Sequence, residues 1–238
     1  MTDTEGIVVA PTWMNWLAYC TIGLAVVCAL TIVWDIWVRG YRSQMAVMDV
    51  VWPVTGLYLG PAAVWAYLRL GRPKTRRWQR RHERDTAAPS SRWSSITLGT
   101  SHCGAGCALA DVLVPWVVFV TGAAVAGKSL YAEFVGAYAA ALALGIVFQF
   151  WAIAPMRGLG VRDGLVAAAK ADVISLTAFQ VGMFAAMALS SLVVFADSPL
   201  DPTEPAYWLV MQIGMIVGFA TSWPANALLI DRGIKEAM

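Results

Sequence analysis

Six long apolar runs constrain this chain more than any other feature of its sequence. Each run holds about 20 residues, the length that an α-helix needs to cross the hydrocarbon core of a membrane. No run alternates apolar and polar residues, and each is about twice as long as a strand of a membrane β-barrel. The sequence therefore predicts an all-α membrane protein, a six-helix transmembrane bundle that forms one domain over residues 1–238. The predicted spans are 16–34, 45–68, 109–126, 134–154, 173–195 and 207–230.

The low content of charged residues supports a surface that faces lipid. Only 13% of the 238 residues are charged and 59% are apolar, with a mean hydropathy of +0.62. A soluble domain carries about 25% charged residues. The first run differs from a signal peptide, because residues 1–15 contain Asp3 and Glu5 but no Lys or Arg. No clear small-residue cleavage site follows it, so we expect this run to be retained as a membrane helix.

Lys and Arg collect on one side of the predicted bundle. Residues 69–92 hold nine of the seventeen, and the segment 155–171 and the C-terminal tail add five more. The opposite side holds only Arg39, Arg42 and Lys128. Cytoplasmic loops of membrane proteins carry an excess of Lys and Arg. This distribution predicts a multi-pass protein of the plasma (inner) membrane with both termini in the cytoplasm.

The basic stretch after the second run predicts a surface segment. Residues 69–100 are interpreted as a cytoplasmic polybasic linker, with a Ser-, Ala- and Pro-rich part from 86 to 95. A basic segment next to a membrane helix attracts anionic lipids, at about 1 kcal/mol for each Lys or Arg near the surface. We therefore expect residues 69–92 to contact anionic lipid headgroups, and we expect no nucleic acid partner.

Residues 122–129, GAAVAGKS, match the letters of a phosphate-binding loop. That loop works between a strand and a helix of a βαβ unit, where its backbone N–H groups face phosphates. Here a run of membrane length precedes the stretch, and no second βαβ unit is present to hold a magnesium ligand. The stretch is interpreted as a tight turn with Lys128 at the membrane interface, and no nucleotide is expected.

The stretch TSHCGAGCALAD, residues 100–111, concentrates the chain's candidate metal ligands. If a helix begins near His102, then Cys103, Cys107 and Asp111 share one face of it at successive turns. Two thiolates, an imidazole and a carboxylate suit Zn²⁺, and the thiolates alone suit Cu(I). A helix N-terminus also lowers the pKa of a thiol, which favours a redox or nucleophilic role. A structural role remains open, because Ser101 fits a helix cap and glycines interrupt the stretch.

Methionines and isolated polar residues mark the other runs. Thioethers are soft ligands for Cu(I), so methionines four residues apart in the last two runs form a candidate relay, although Met also fills gaps in apolar packing. Polar groups at membrane depth are costly and are functional candidates by default. For Asp49, an arginine of the preceding loop is the expected partner. The methionines are Met183, Met187, Met211 and Met215, and the polar candidates are Asp49, Lys170, Asp172 and Asn226.

Five segments of the sequence together resemble those of a known family. They are VVWPVTGLYLGP, SHCGAGCALAD, APMRGLGVRDG, KADVISLTAFQVGM and YWLVMQIGMIVGFATSWPANALLIDRGIKEAM. In this order they resemble the bacterial and archaeal multi-helix membrane proteins grouped as domain of unknown function 4396, from about the second span to the C-terminus. The resemblance implies a multi-pass membrane protein. The association of family members with copper-type oxidases implies a preference for copper.

The leading hypothesis is a membrane protein that handles a soft metal ion, copper or zinc, as a transporter or delivery factor. In this hypothesis His102, Cys103 and Cys107 bind the ion at the cytoplasmic end of the third span, and Asp111 orients His102 or completes the site. The first alternative is a membrane enzyme or redox protein with a reactive thiol and with His102 or Lys170 as its base. The second is a scaffold or assembly subunit of a membrane complex. A homo-oligomer is compatible with each hypothesis.

Overall fold

The protein is almost entirely helical. The computed structural model describes residues 10–82, 91–157 and 160–235. Within these ranges the only β-type pairing is an isolated bridge between Val125 and Lys128. The helices are α1 (Thr12–Val33, extended by a π-helical turn Trp34–Val38), α2 (Met48–Leu59), α3 (Pro61–Ala66, extended by a π-helical turn Tyr67–Gly71), α4 (Arg76–His82), α5 (Arg92–Thr121), α6 (Ser129–Arg157), α7 (Val161–Leu189, extended by a π-helical turn Ser190–Val194) and α8 (Pro205–Asp231).

Five helices of the described ranges, rather than the predicted six, are long and apolar enough to cross a membrane. They are Thr12–Val38, Arg92–Thr121, Ser129–Phe150, Asp172–Val194 and Pro205–Asp231. The predicted span that is not a single long helix is the second, 45–68. The chain breaks there at Gly60, whose φ of 54° lies in the left-handed region that glycine tolerates and other residues rarely adopt. Pro61 then begins α3 at the position where proline is favoured.

Helices α2 and α3 form a hairpin that returns to the end where it began. The indole of Trp52, early in α2, lies 5.7 Å from the ring of Tyr67 and contacts Gly71 at the end of the second arm. In a continuous helix, residues 52 and 71 would lie about 28 Å apart. The second arm also returns to the end of α1, because the Tyr67 hydroxyl donates to Asp35 at 2.9 Å. The run 45–68 therefore folds back on itself within the structure.

The base of the hairpin lies at the end of the bundle where α5 begins, and its tip points towards the other end. The rings of Trp65 and Trp93 are 6.5 Å apart, which places the second arm beside the start of α5. At the tip, the Leu57 carbonyl accepts a hydrogen bond from Gln212, in the first third of α8. We call the end where α5 begins the basic end and the other the acidic end, after the charged residues that each of them carries.

Helix α5 forms the centre of the bundle and packs against α2, α6, α7 and α8. It begins at Arg92, 17 residues before the predicted start of the third span, because Ser91 caps it by accepting from the Ser94 N–H and small residues continue it. The predicted 69–100 linker is therefore helical where it is described, except around Thr75 and Ser91. Its residues 83–90 lie outside the described residues.

Contacts between helix ends establish the directions of the bundle. At the basic end, Arg92 at the start of α5 pairs with Asp231 at the end of α8 at 2.6 Å. At the acidic end, the Tyr207 hydroxyl at the start of α8 donates to Glu133 near the start of α6 at 2.9 Å. Helix α1 runs antiparallel to α2, with Ala29 against Gly56. Its C-terminal end is at the hairpin base, so α1 begins at the acidic end.

The two ends carry opposite charge. Among the Lys and Arg residues of the described segments, all but Lys128 lie in the half of the bundle at the basic end. The folded-back hairpin moves Arg39 and Arg42 to this end, whereas a crossing helix would have left them on the opposite side. The loop between α7 and α8 at the acidic end carries Asp197, Asp201 and Glu204 and no basic residue.

The contact between α7 and α8 depends on Gly218, and its replacement should destabilise the bundle. A Cβ at this position would lie 2.7 Å from the Phe179 carbonyl oxygen, a backbone atom that cannot move without shifting α7. We expect Gly218→Ala to lower the free energy of unfolding in detergent by about 1–3 kcal/mol. Gly23→Ala in α1 is the matched control, since nothing lies within 4 Å of the added methyl group. Equal stability of the two variants would contradict this packing.

Candidate functional site

The candidate metal ligands lie in the middle of a helix rather than at its end. His102, Cys103, Cys107 and Asp111 have no solvent exposure and follow the first ten residues of α5. The glycines of this stretch do not break the helix. They bring neighbours close, as at Gly106, where a Cβ would lie 3.3 Å from the Gly145 backbone nitrogen of α6.

This position removes the reason for expecting a reactive thiol. The prediction of a thiol at a helix N-terminus was wrong, because the helix begins a full ten residues before His102. Both Cys103 and Cys107 are free thiols with 0% exposure. Reactive cysteines lie in partly exposed, electropositive surroundings. The surroundings of these two are those of buried, protected sulfur atoms.

The four predicted ligands do not converge on one point. The Cys103 sulfur contacts the Ser222 hydroxyl of α8 at 3.5 Å, whereas the ring of His102 packs edge-on against Phe148 of α6, with centroids 6.4 Å apart. Asp111 accepts a hydrogen bond from Gln180 at 3.1 Å and does not orient His102. Within the described residues no three His, Cys, Asp or Glu side chains lie close enough to hold one metal ion. The four-ligand Zn²⁺ arrangement is therefore not formed in this conformation.

The methionines converge instead, in the half of the bundle at the acidic end. Met183, Met187 and Met211 line a small cavity together with Asp111 and Glu133, and the room inside is about that of one water molecule. The three thioethers are buried, with 2–3% exposure. Met215 is buried in the same apolar core but does not line the cavity. Asp111 Oδ2 has no hydrogen-bond partner among the described residues.

One carboxylate and two cysteines are aligned along α5, from this cavity towards the middle of the bundle. Asp111, Cys107 and Cys103 are spaced by four residues, which is about 6 Å along the axis for each step. All three are fully buried. Buried sulfur atoms of Met and Cys therefore extend from the acidic half of the protein to its middle.

A second polar cluster lies beyond Cys103, towards the basic end. Asp172 and Lys235 form an ion pair of 3.1 Å in which neither side chain is more than 1% exposed. The Lys235 ammonium also contacts the Ser175 hydroxyl at 3.4 Å. Asn226 donates to the Ser222 carbonyl at 3.0 Å and approaches the Cys103 sulfur at 3.6 Å. We call Asp172, Ser175, Ser222, Asn226 and Lys235 the inner polar cluster.

Lys235 is the member of this cluster that the sequence interpretation did not select. Burial lowers the pKa of its ammonium, but the charge and the hydrogen bond of the Asp172 carboxylate, together with the nearby Cys103 and Cys107, raise that pKa above its usual value. The 3.1 Å contact with Asp172 is that of an ion pair, in which the ammonium carries the positive charge. Gly233, two residues before it, has a φ of 66° and ends α8. A glycine just after the last apolar run was the available signal for a chain reversal at this point.

The remaining polar candidates have ordinary partners or surroundings. Asp49 at the hairpin base accepts from the Ser43 N–H at 2.8 Å and lies 3.8 Å from Arg42, one of the two expected arginines. Lys170 is exposed on α7 and does not join the inner polar cluster. Helix α8 continues through Pro224 without interruption. Of residues 122–129, the first seven form the turn between α5 and α6, and Ser129 begins α6.

The comparison with protein families agrees with the resemblance in the sequence. The model of a domain of unknown function, DUF4396, matches residues 92–235. The chain belongs to this family. No curated protein and no solved structure matches it.

The DUF4396 match begins at Arg92 and ends at Lys235, so it covers α5 to α8 and the reversed tail. The residues of the cavity and of the inner polar cluster all fall inside it. Helix α1 and the α2–α3 hairpin lie outside the match. The phrase VVWPVTGLYLGP, which contributed to the resemblance, is part of that hairpin.

Proposed function

We propose that this protein carries Cu(I) into or across a membrane along the sulfur ligands of α5, α7 and α8. One observation carries the proposal: Met183, Met187 and Met211, from two different helices, converge with Asp111 on one small cavity. Thioethers and thiolates select Cu(I) over harder ions. Of the two carboxylates that line the cavity, Glu133 accepts a hydrogen bond from Tyr207, and Asp111 is left to balance the single charge of the ion. Copper is therefore preferred to zinc as the cargo.

The proposed path has an entry site and an onward site. Cu(I) enters from the acidic end and is first held by the thioethers of the cavity. Cys107 and then Cys103 accept it next, since each lies one helical turn further along the same face of α5. His102, whose ring nitrogens have no hydrogen-bond partner among the described residues, lies beside this path rather than on it.

The proposal includes a topology that differs from the sequence expectation. Five helices cross the plasma membrane, and the α2–α3 hairpin enters it and returns to the same side. Irregular backbone at membrane depth is tolerated where protein buries it, and Gly60 at the hairpin tip is buried, although Pro61 and Ala62 beside it are exposed. Because Lys and Arg accumulate on the cytoplasmic side, the basic end is cytoplasmic. The N-terminus is then outside and the C-terminus inside, instead of both in the cytoplasm.

Helix α4 supplies the proposed contact with anionic lipid. Arg76, Arg77, Arg80 and Arg81 are exposed on this short helix at the basic end. Trp78 lies between them, as is common for residues at a membrane interface. Each exposed arginine adds attraction to a negatively charged leaflet, so α4 would hold the hairpin base against the membrane surface.

Leucine in place of the three cavity methionines should remove Cu(I) binding while the fold is kept. The full chain, purified in detergent under anaerobic reducing conditions, is titrated with Cu(I) in competition with bathocuproine disulfonate. We expect about one tightly bound ion in the wild type. In the variant Met183→Leu/Met187→Leu/Met211→Leu, compared with its parent in a chain whose Cys103 and Cys107 are replaced by serine so that the onward site cannot hold the ion, we expect the affinity to fall by more than about 100-fold, because leucine keeps the volume and removes the sulfur.

Met215→Leu is the matched control, since Met215 is equally buried but lies outside the cavity, and it should bind Cu(I) as the wild type does. Cys103→Ser/Cys107→Ser should still bind the ion at the entry site but should not release it across a proteoliposome membrane. Undiminished binding by the triple methionine variant would refute the proposal. So would a wild type that binds no Cu(I).

A further inference from the structure

The last described residues of the chain turn back into the bundle. Helix α8 ends at Asp231, and the N–H groups of Gly233 and Ile234 then bond to the carbonyls of Ile230 and Leu229 at 3.0 and 2.9 Å. This pair of bonds around a left-handed glycine reverses the direction of the chain. As a result Lys235, only four residues beyond the helix, is completely buried.

The buried ammonium occupies a position built from four helices. Asp172 and Ser175 of α7 contact it directly, at 3.1 and 3.4 Å. On the α5 side, a Cβ at Gly99 would meet both the Lys235 side chain at 3.7 Å and the Asn226 Oδ1 atom at 3.5 Å. Gly145 of α6 leaves similar room, since a Cβ there would lie 2.8 Å from Asp172 Oδ2. Glycines at both positions keep the space open.

The cluster contains more oxygen ligands than Lys235 uses. Asp172 Oδ2 and Asn226 Oδ1 have no hydrogen-bond partner among the described residues, although both side chains are at most 1% exposed. Buried polar atoms are normally satisfied, so each such atom requires an explanation. Here two unused acceptors belong to the same cluster as a positive charge that, among the described residues, bonds to only two other oxygen atoms.

We propose that Asp172, Ser175 and Asn226 form a binding site for a monovalent cation, and that the Lys235 ammonium occupies this site as a tethered substitute. One carboxylate balances one positive charge. A divalent ion would leave a net charge in the protein interior, which is expensive. Carboxylate, hydroxyl and amide oxygens suit Na⁺, K⁺ or a small protonated amine. The copper proposal concerns other residues, and neither proposal depends on the other.

The attachment of Lys235 allows the exchange. It lies beyond the last helix at the basic end, and the turn that holds it consists of backbone hydrogen bonds with an exposed Ile234. Asp172, in contrast, is fixed within the long helix α7. The tail can move into water together with the Lys235 ammonium. The Asp172 carboxylate then stays in the bundle and needs another positive ion to balance its charge.

Removal of the tethered charge should make the protein dependent on small cations. Full-length Lys235→Ala is purified in detergent, and its thermal unfolding is followed at one ionic strength in N-methylglucamine, sodium, potassium or ethylammonium chloride. We expect an unfolding midpoint below that of the wild type in N-methylglucamine, which is too large for the site. Saturating ethylammonium or Na⁺ should raise the midpoint by about 5–10 °C. The wild type should show no such selectivity, because its site is filled.

Three further variants separate a cation site from a purely structural ion pair. Lys235→Ala/Asp172→Asn should lose the cation dependence, since the carboxylate is gone. Arg232→Ala removes an exposed charge from the same tail and should behave as the wild type does. Lys235→Gln keeps most of the packing, and it replaces Lys235→Ala in the assay if the latter does not fold. Midpoints that stay the same in all four salts for the variants without Lys235 would overturn the proposal.

Discussion

A cysteine placed in the loop between α1 and α2 should react with a membrane-impermeant maleimide only after the membrane is opened. Ala46→Cys is suited to this test, because Ala46 is exposed and lies in the loop at the hairpin base. With six crossings Ala46 would lie at the outer end of the predicted span 45–68, and the cysteine would be labelled in intact cells. With five crossings and a folded-back hairpin it is cytoplasmic. The two topologies therefore predict opposite labelling of the same residue in intact cells.

Two further cysteines complete the experiment on topology. Pro11→Cys, just before α1, should be labelled from outside in intact cells, whereas six crossings would place it in the cytoplasm. Ala124→Cys in the turn between α5 and α6 should be labelled from outside under either topology and serves as the positive control. The wild-type chain gives the background from its four native cysteines. Labelling of Ala46→Cys in intact cells would rule out the re-entrant hairpin.

Replacement of Asp35 by alanine should cost about 3–5 kcal/mol of the free energy of unfolding. The carboxylate is 5% exposed and connects three groups, because it accepts from the Tyr67 hydroxyl at 2.9 Å and pairs with Arg72 and Arg39, each at 3.1 Å. Without it, the Tyr67 hydroxyl, in a side chain that is 1% exposed, loses its acceptor, and Arg72 loses its counter-charge. These contacts hold the second arm of the hairpin to α1.

Unfolding in detergent and limited trypsin digestion both measure this loss. Trypsin should cleave at the exposed arginines of α4 faster in Asp35→Ala, because the hairpin base no longer holds this helix in place. Asp35→Asn keeps an acceptor for Tyr67 and should be intermediate. Arg92→Ala breaks an exposed ion pair with Asp231 and should leave stability almost unchanged, as surface pairs are screened by water. Wild-type stability in Asp35→Ala would show that the hairpin is held by apolar packing alone.

Local sequence was enough to predict most of the helices and the spacing of their cysteines and methionines. Apolar length identified the five long helices, since a run of about 20 apolar residues has few stable forms other than a helix. The four-residue spacing of Cys103 and Cys107, and of Met183 and Met187, put each pair on one helix face. The concentration of Lys and Arg also indicated a basic side of the molecule. None of these inferences needs contacts between distant parts of the chain.

The predicted third span begins at residue 109, whereas α5 begins at Arg92, and the composition of the residues between them explains the difference. The stretch from Arg92 to Ala108 is rich in Ser, Thr, Gly and Ala, which lowers its hydropathy and is typical of loops in water. Among packed membrane helices the same small residues allow close contact. Their burial on all sides, seen at Gly99, Gly104 and Gly106, depends on α2, α6 and α8 being present.

The sequence by itself determined that this is a helical membrane protein with a basic side and with cysteines and methionines at helical spacing, because these properties follow from hydropathy, charge and the period of a single helix. Only the tertiary structure decided that the run 45–68 folds back at Gly60. It also decided that three methionines meet at Asp111, and that Lys235 reaches Asp172 across 63 residues. Each of these depends on which side chains meet when separate helices pack. The sequence around Lys235 has no periodic pattern that would indicate its contact with Asp172, because Asp172 is far away along the chain.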